Sequence, residues 1–159
     1  MTADIPNAFI QESLKNLNDG NEKVVIKVTG MLVDLLVKVA PNVYSPFVVF
    51  QNGRKVLYLQ VLKALYGMLQ AALLWHKTFS SDLESIGYVF NPYDPCVASK
   101  QHTIPFHVDD IMASHVSCLV NDQFAEWPNS MYGHYGEVKQ TGGDFHHYLA
   151  MHFDFSHRG

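Results

Sequence analysis

Two adjacent aspartates, Asp109 and Asp110, are the residues whose types and spacing point most directly to chemistry. Apolar stretches on either side predict a β-hairpin with arms of about Thr103 to Val108 and Ile111 to Val116, and with the pair at its tip. Like charges side by side repel each other, and tight hairpin turns favour Asn-Gly or Asp-Gly. A divalent cation would relieve the repulsion, since magnesium binds carboxylate and phosphate oxygens. The alternative reading of the dipeptide alone is a solvated acidic turn.

Further short segments accompany the aspartate pair in a set order along the chain. They are Asp4-Ile5-Pro6-Asn7-Ala8-Phe9-Ile10-Gln11, Leu62-Lys63-Ala64-Leu65-Tyr66-Gly67-Met68-Leu69-Gln70-Ala71, Trp75, Gly87-Tyr88, Tyr93-Asp94-Pro95-Cys96-Val97 and His107-Val108-Asp109-Asp110. This order resembles the reverse transcriptase of copia-type retrotransposons, where an Asp-x-x-x-Ala-Phe block precedes Leu-Tyr-Gly-x-x-Gln and x-Val-Asp-Asp. The resemblance extends from Asp4 to about Phe155.

The resemblance implies an RNA-directed DNA polymerase, a transposable-element nucleotidyltransferase that uses magnesium. For this fragment we expect weak activity or none. It assigns the catalytic and metal-binding carboxylates to Asp4, Asp109 and Asp110. Two magnesium ions roughly 3.5–4 Å apart would hold the attacking 3′-hydroxyl and the leaving pyrophosphate. The implied partners are an RNA or DNA template-primer and a deoxynucleoside triphosphate.

The resemblance also implies three nucleotide-binding residues. Phe9 matches the aromatic residue that lies under the sugar, Gln70 matches a glutamine near the incoming nucleotide, and Lys139 matches a lysine near the triphosphate. Each has an alternative that involves no ligand. Phe9 would be a core aromatic in any fold, and Gln70 could simply begin its helix.

The implied fold is α+β, a polymerase palm-like antiparallel sheet with helices packed on one face and without complete fingers and thumb. We expect one partial domain over residues 1–159, truncated at the N-terminus, with a palm over 1–118 and a helix and primer-grip-like strand over 119–159. The residues themselves also favour α+β, because strands and helices intermingle without a βαβ rhythm. Ala150 stands where the family has glycine.

Hydrophobic periodicity and turn residues predict the elements that position these side chains. Apolar residues three and four apart predict a helix from about Gln70 to Ile86, which Gly87 ends. An Asn-Gly turn predicts a hairpin with arms Phe47 to Phe50 and Val56 to Val61.

Four further elements and one constraint come from the same patterns. Pro105 lacks a backbone donor, which predicts an edge or bulged position for its strand. The other predicted elements are a short helix within Asn7 to Asn18, a strand at Val24 to Val28, a helix from about Leu119 to Trp127 that Pro128 ends, and a strand within Tyr148 to Phe155.

Composition argues against a disordered chain, and the total charge gives no sign of a surface that binds nucleic acid. Hydrophobic residues make up 48% and charged residues 16% of the 159 residues, so a packed core is expected. The net charge is −4, and residues 101–159 alone carry −5. Proteins that bind nucleic acid usually have a basic face, and this total gives no sign of one.

Localisation follows from what the chain does not contain. Two cysteines 22 residues apart, without a CxxC pattern, favour reduced thiols over a disulfide framework or a zinc finger. We find no signal-peptide pattern and no apolar run near the roughly 20 residues that a membrane span needs. The expectation is an intracellular protein, cytoplasmic or nuclear, without membrane insertion.

Two competing hypotheses belong to other functional classes. The chain could be a catalytically silent module derived from a reverse transcriptase, with a structural or binding role in a larger assembly and a protein partner covering its truncated face. It could instead hold a metal ion through C-terminal side chains, although no spacing typical of zinc is met. The candidate ligands are His146, His147, His152 and Asp154.

Overall fold

A computed structural model of the chain describes residues 1–14 and 23–157. The chain forms two compact units. The first, which we call the carboxylate unit, joins Met1–Glu12 to Leu65–Gly159. The second, the inserted unit, is Ser13–Ala64. Both contain helices and antiparallel strands, so the predicted α+β class is confirmed.

Sixteen helices and strands are described. In chain order they are β1 (Thr2–Asp4), α1 (Ala8–Gln11), β2 (Val25–Thr29), α2 (Met31–Val39), α3 (Pro41–Tyr44), β3 (Val49–Gln51), β4 (Arg54–Gln60), α4 (Leu69–Ser85), β5 (Val89–Phe90), β6 (Val97–Ser99), β7 (Thr103–His107), β8 (Asp110–Met112), α5 (Cys118–Tyr132), β9 (Lys139–Thr141), β10 (Phe145–Tyr148) and β11 (Met151–Asp154).

The carboxylate unit is built on a six-stranded sheet with the order β5-β6-β7-β8-β1-β9. Alternate residues of its strands point to opposite faces. Ile104, Phe106 and Ile111 are buried on one face, where the ring of Phe106 lies 4.9 Å from that of Phe79 in α4. Phe79 also contacts Trp127 and Tyr132 of α5. The helices therefore pack on one face, which leaves the opposite face for other side chains.

The helix α4 confirms the prediction made from periodicity. Its buried residues recur at three- and four-residue spacing, which places them on one stripe. Gly87 follows the helix with φ = 89°, a left-handed conformation that favours glycine. The buried residues are Ala71, Leu74, Trp75, Phe79 and Leu83.

The prediction that Pro128 ends the second long helix is wrong, because α5 continues to Tyr132. The proline ring is buried, and packing of the ring offsets the one intrahelical hydrogen bond that proline cannot make. The turn after it is closed by the Gly133 amide, which donates to the Asn129 carbonyl.

The structure also corrects the position of Pro105, which lies in an internal strand instead of at an edge. β7 pairs with β6 on one side and with β8 on the other. Because the Phe106 amide donates to Cys96 in the β6 direction, the Pro105 nitrogen faces β8. The ladder to β8 is interrupted there, between the pairs Phe106–Ile111 and Thr103–Ser114, so no partner requires the missing donor.

Two predicted elements, one near each end of the chain, differ from the observed ones. The predicted helix within Asn7 to Asn18 is the four-residue α1, and its positions 15–18 lie outside the described residues. The predicted single strand at the end of the chain is a hairpin of β10 and β11. Its turn, Leu149–Ala150, has positive φ at both residues, which alternating hydrophobicity does not predict.

The inserted unit contains a three-stranded sheet with the order β2-β4-β3. The predicted strand at Val24 to Val28 and the predicted hairpin are both confirmed. Asn52 and Gly53 have φ of 49° and 73°, as a two-residue turn with both residues left-handed requires. Few side chains are buried among the described residues of this unit, 13–14 and 23–64: they are Leu14, Val33, Val56, Leu57 and Ala64.

Among the residues that are described, none of the helices combines the length and apolar character that crossing a membrane requires.

Candidate carboxylate site

Strand register brings two of the predicted carboxylates together. Asp4 in β1 is the direct cross-strand partner of Asp110 in β8. Directly opposed residues of an antiparallel pair share a face, with Cα atoms roughly 4.5–5.5 Å apart. His107 lies opposite Asp110 on one side, and Lys139 lies opposite Asp4 on the other. These four residues form a row across the sheet, which we call the row. Four neighbouring strands thus place two carboxylates between an imidazole and an ammonium group, on the face away from α4.

The third carboxylate, Asp109, lies in the turn between β7 and β8. The predicted tip, Asp109–Asp110, is wrong by one residue, because the turn is Val108–Asp109 and Asp110 begins β8. Val108 has φ = 56°, a strained conformation for a β-branched residue. Two hydrogen bonds hold this turn. The Trp75 indole N–H donates to the Val108 carbonyl at 2.5 Å, and the Ile5 amide donates to the Asp109 carbonyl at 2.9 Å.

A tyrosine orients the side chain of Asp109. The Tyr66 hydroxyl donates a hydrogen bond to Asp109 Oδ2 at 3.1 Å. Burial and the nearby negative charge of Asp109 raise the pKa of Tyr66 to about 12, so it stays a donor at neutral pH. Its ring lies 4.5 Å from that of Phe9. Phe9 is only 7% exposed, so its position beneath Tyr66 is that of a packed core aromatic.

The three carboxylates affect one another electrostatically. Burial, followed by the charges of Asp109 and Asp4, raises the pKa of Asp110 above its usual value, and His107 acts in the opposite direction. Like charges held this close disfavour ionisation. A cation would remove that cost, so the row has the electrostatic character of a cation site.

The cleft over this row is small, with a volume of about 140 Å³. The strand β10 forms one wall of the cleft. Burial, followed by the negative charge of Asp110, raises the pKa of Tyr148 in this strand to about 12. The cleft holds no room for a large ligand below the sheet surface, so a substrate would lie across it. Its lining residues are Thr2, Ala3, Asp4, Asp110, Ile111, Lys139, Thr141, His147 and Tyr148.

The residues present fit magnesium only if phosphate completes the coordination. Across residues 1–14 and 23–157, no three His, Cys, Asp or Glu side chains converge closely enough to hold a metal ion by themselves. Magnesium is commonly bound by one or two carboxylates together with substrate phosphates. Asp4 and Asp110 supply two such carboxylates on one face, and Lys139 supplies a cation beside them.

Gln70 is the predicted site residue that is not tied to the others. It is exposed in the first turn of α4, and no hydrogen bond within the described part of the chain joins it to the carboxylates. The predicted nucleotide-binding residues therefore divide into one that lies in the row, Lys139, one that is packed in the core, Phe9, and one that is exposed at the start of α4, Gln70.

No protein-family model, curated protein or solved structure matches the chain.

Two contributors to the site, Tyr66 and Tyr148, were not predicted from the sequence. Tyr66 lies inside the Leu-Tyr-Gly motif, but nothing in the motif indicates that its hydroxyl reaches Asp109. Tyr148 reaches the cleft only because the end of the chain folds back as a hairpin.

The three histidines of β10 and β11 make hydrogen bonds or ring contacts within the chain. His146 is buried, and its Nε2–H donates to the Gly143 carbonyl at 2.8 Å. Its Nδ1 is then the acceptor for the Thr2 hydroxyl at 3.4 Å. His147 and His152 are cross-strand partners whose rings lie 4.1 Å apart. This arrangement ties the hairpin to β1 and gives the histidines a packing role.

Proposed function

We propose that the carboxylate unit is the palm-like part of an RNA-directed DNA polymerase of the copia-type retrotransposon class. Asp4, Asp109 and Asp110 are its catalytic, magnesium-binding residues. The observation that carries the proposal is the direct pairing of Asp4 with Asp110, together with the Ile5–Asp109 hydrogen bond. Carboxylates more than 100 residues apart in the sequence thus meet on neighbouring strands, as a shared cation site needs.

The proposed reaction is attack of a primer 3′-hydroxyl oxygen on the α-phosphorus of a deoxynucleoside triphosphate. The new phosphodiester bond forms as the bond from the α-phosphorus to the bridging oxygen breaks, pyrophosphate leaves, and the hydroxyl proton passes to water. Bound magnesium would acidify that hydroxyl and neutralise the developing negative charge. Asp4 and Asp110 would hold the ions, while Tyr66 keeps Asp109 in one orientation. The Lys139 ammonium group, exposed beside Asp4, would bind a phosphate oxygen of the triphosphate.

Primer extension tests the proposal on the full chain, with an RNA template, a DNA primer and magnesium or manganese. If the chain is an active polymerase, we expect product from the unmodified chain and a loss of roughly a hundredfold or more in the Asp109→Asn/Asp110→Asn variant, since each lost carboxylate removes several kcal/mol of metal stabilisation. Asp122→Asn, on the exposed surface of α5, is the matched control and should extend primers normally.

Two results would overturn this assignment. One is the absence of product from the unmodified chain at every metal concentration. The other is product that survives in the double variant, because the activity would then arise elsewhere. Circular dichroism of each variant excludes misfolding as the reason for a loss.

A second candidate is a catalytically silent module of the same origin, with a structural or binding role in a larger assembly. It is favoured by the fact that no three ligand side chains converge within the described residues. Large apolar side chains of the carboxylate unit are also exposed, among them Leu69 at 92%, Tyr93 at 95% and Val116 at 98%. Size-exclusion chromatography with light scattering tests this candidate, which predicts association; a stable monomer at all concentrations contradicts it.

A further inference from the structure

The inserted unit has a charge opposite to that of the rest of the chain. Its described residues include six lysines and arginines and a single acidic residue, Asp34, for a net charge of +5. The described residues of the carboxylate unit include three lysines and 12 acidic residues, for a net charge of −9. The overall net charge of −4 therefore conceals a basic unit.

Asp34 does not lie on the sheet face that carries Arg54 and Tyr58. Asp34 belongs to α2 and forms an ion pair with Lys55 at 2.5 Å. Along β4, Lys55 and Leu57 alternate with Arg54, Val56 and Tyr58, so the Lys55 side chain points away from the face of Arg54 and Tyr58. Asp34, which pairs with Lys55, therefore lies on that other side. In the described part of the inserted unit, the face that carries Arg54 and Tyr58 therefore has no carboxylate.

That face carries a cleft with a volume of about 410 Å³. Strand register places Lys27 opposite Tyr58, and Gln51 opposite Arg54. The Lys27–Tyr58 and Gln51–Arg54 pairs are four residues apart along β4, which is roughly 14 Å at about 3.4 Å per residue. The cleft is lined by Lys27, Thr29, Gln51, Asn52, Arg54 and Val56.

An aromatic ring lies on the same face, directly opposite Lys27 in the strand register. Tyr58 is 46% exposed, and its hydroxyl exchanges hydrogen bonds with the Gln51 amide at 2.9 and 3.2 Å. Those bonds hold the ring at the sheet surface. Cations that follow a phosphate backbone, combined with an exposed aromatic on which a base can stack, are the usual components of single-strand binding surfaces.

We propose that this sheet face of the inserted unit binds single-stranded nucleic acid. Lys27 and Arg54 contact successive parts of the phosphodiester backbone, and a base stacks on Tyr58. Thr29, Gln51 and Asn52 offer hydrogen bonds to sugar and phosphate oxygens. This surface shares the partner class of the proposed polymerase, but it depends on none of the carboxylate chemistry.

Fluorescence anisotropy of a labelled oligothymidylate, titrated with the full chain in EDTA, tests this proposal. For Lys27→Ala/Arg54→Ala, we expect affinity about tenfold lower at low salt. The slope of log affinity against log salt should shrink by about 1.4, because each single-strand phosphate contact contributes roughly 0.7. Lys38→Ala/Lys77→Ala removes the same charge from exposed positions in α2 and α4, and should have little effect.

Variants of Tyr58 separate stacking from simple anion attraction. Tyr58→Leu should weaken binding about tenfold, within the range for loss of one stacked base, whereas Tyr58→Phe keeps the ring, loses only the bonds to Gln51, and should weaken binding much less. An equal loss in the Lys38→Ala/Lys77→Ala control would overturn the proposal. So would an unchanged affinity in Tyr58→Leu combined with equal competition by inorganic polyphosphate, because the face would then be a general anion site.

The same titration distinguishes this proposal from the catalytic one. The Asp109→Asn/Asp110→Asn variant should bind the oligonucleotide with unchanged affinity, even where primer extension is lost. Loss of binding in that variant, with its fold intact, would contradict a separate surface on the inserted unit.

Discussion

The carboxylate unit and the inserted unit differ in both charge and packing. The first carries −9 over its described residues and buries a cluster of aromatic rings, with Trp75, Phe79 and Phe106 almost fully enclosed. The second carries +5, and of its described residues only the apolar side chains of Leu14, Val33, Val56, Leu57 and Ala64 are buried. The well-packed unit therefore carries the proposed cation site, and the loosely packed unit carries the proposed surface for nucleic acid.

Local stability should follow the same division. Regions with few buried apolar contacts open at low free energy, whereas a dense core opens only with global unfolding. The hydrogen bond from Trp75 to Val108 connects the aromatic core directly to the turn that holds Asp109. The site is therefore fixed by the more stable of the two units.

The largest effect is expected from a substitution in the aromatic core of the carboxylate unit. Phe79 is fully buried and contacts four aromatic rings, so Phe79→Ala should lower the free energy of unfolding by about 3–5 kcal/mol. Urea denaturation gives the magnitude, and hydrogen exchange read by mass spectrometry gives the location. Faster exchange should appear in α4, β7 and β8. A loss below about 1 kcal/mol would show that the ring cluster does not dominate the stability of this unit.

A smaller loss is expected from the inserted unit. Leu57 is fully buried in β4, so Leu57→Ala should cost about 2–4 kcal/mol locally. The exchange of β2 and β4 amides should accelerate, while the amides of β8 keep their protection. Equal acceleration in both units would contradict the view that they are separately stabilised.

A stabilising change of about 1 kcal/mol should come from Ala150→Gly. Ala150 is exposed and has φ = 61°, a conformation that costs a non-glycine residue roughly 1–2 kcal/mol. Part of that gain is lost to the greater backbone entropy of glycine when unfolded. Ala72→Gly, at an exposed interior position of α4, is the matched control and should destabilise by about 1 kcal/mol. The thermal midpoints of the two variants should move in opposite directions.

The smallest expected effect concerns the charge of Asp110. Its pKa is raised in the folded chain by burial and by Asp109 and Asp4, so the folded state binds this proton more tightly than the unfolded state does. Stability from this group is then largest at acid pH and falls as pH rises through its folded pKa. In EDTA, Asp110→Asn should stabilise the chain at pH 7 by less than about 1 kcal/mol.

Urea denaturation at pH 7 and near pH 3 measures this difference. The gain should disappear at the acid end, where Asp110 is protonated in both states. Asp122→Asn removes one negative charge from an exposed position of α5 and controls for the change in net charge. A destabilising effect of Asp110→Asn at pH 7 would mean that the carboxylate makes favourable contacts that outweigh the repulsion.

Regular periodicity made much of the fold predictable from sequence. The helix α4 and the hairpin at Asn52–Gly53 follow from patterns that act over a few residues. Pro128 in α5 and the turn at Val108–Asp109 do not, because burial of a ring and a hydrogen bond from Trp75 override the local preference. Tertiary contacts of this kind leave no mark at short sequence range.

The candidate site was predictable to a similar extent. The aspartate residues could be chosen from sequence, but their register could not, since a shift of one residue would move Asp4 to the opposite face. The basic face of the inserted unit was hidden for another reason. Net charge is a sum over the chain, and it does not reveal that Lys27 and Arg54 lie on one face where none of the described residues is a carboxylate.

Anomalous diffraction from crystals grown with manganese and a deoxynucleoside triphosphate tests whether Asp4 and Asp110 form one cation site. We expect an anomalous peak within bonding distance of carboxylate oxygens of both Asp4 and Asp110, with phosphate oxygens completing the coordination. We also expect this peak to be absent in Asp110→Asn crystals. Manganese bound only at the histidines of β10 and β11, or a peak unchanged in Asp110→Asn, would contradict a shared site at Asp4 and Asp110.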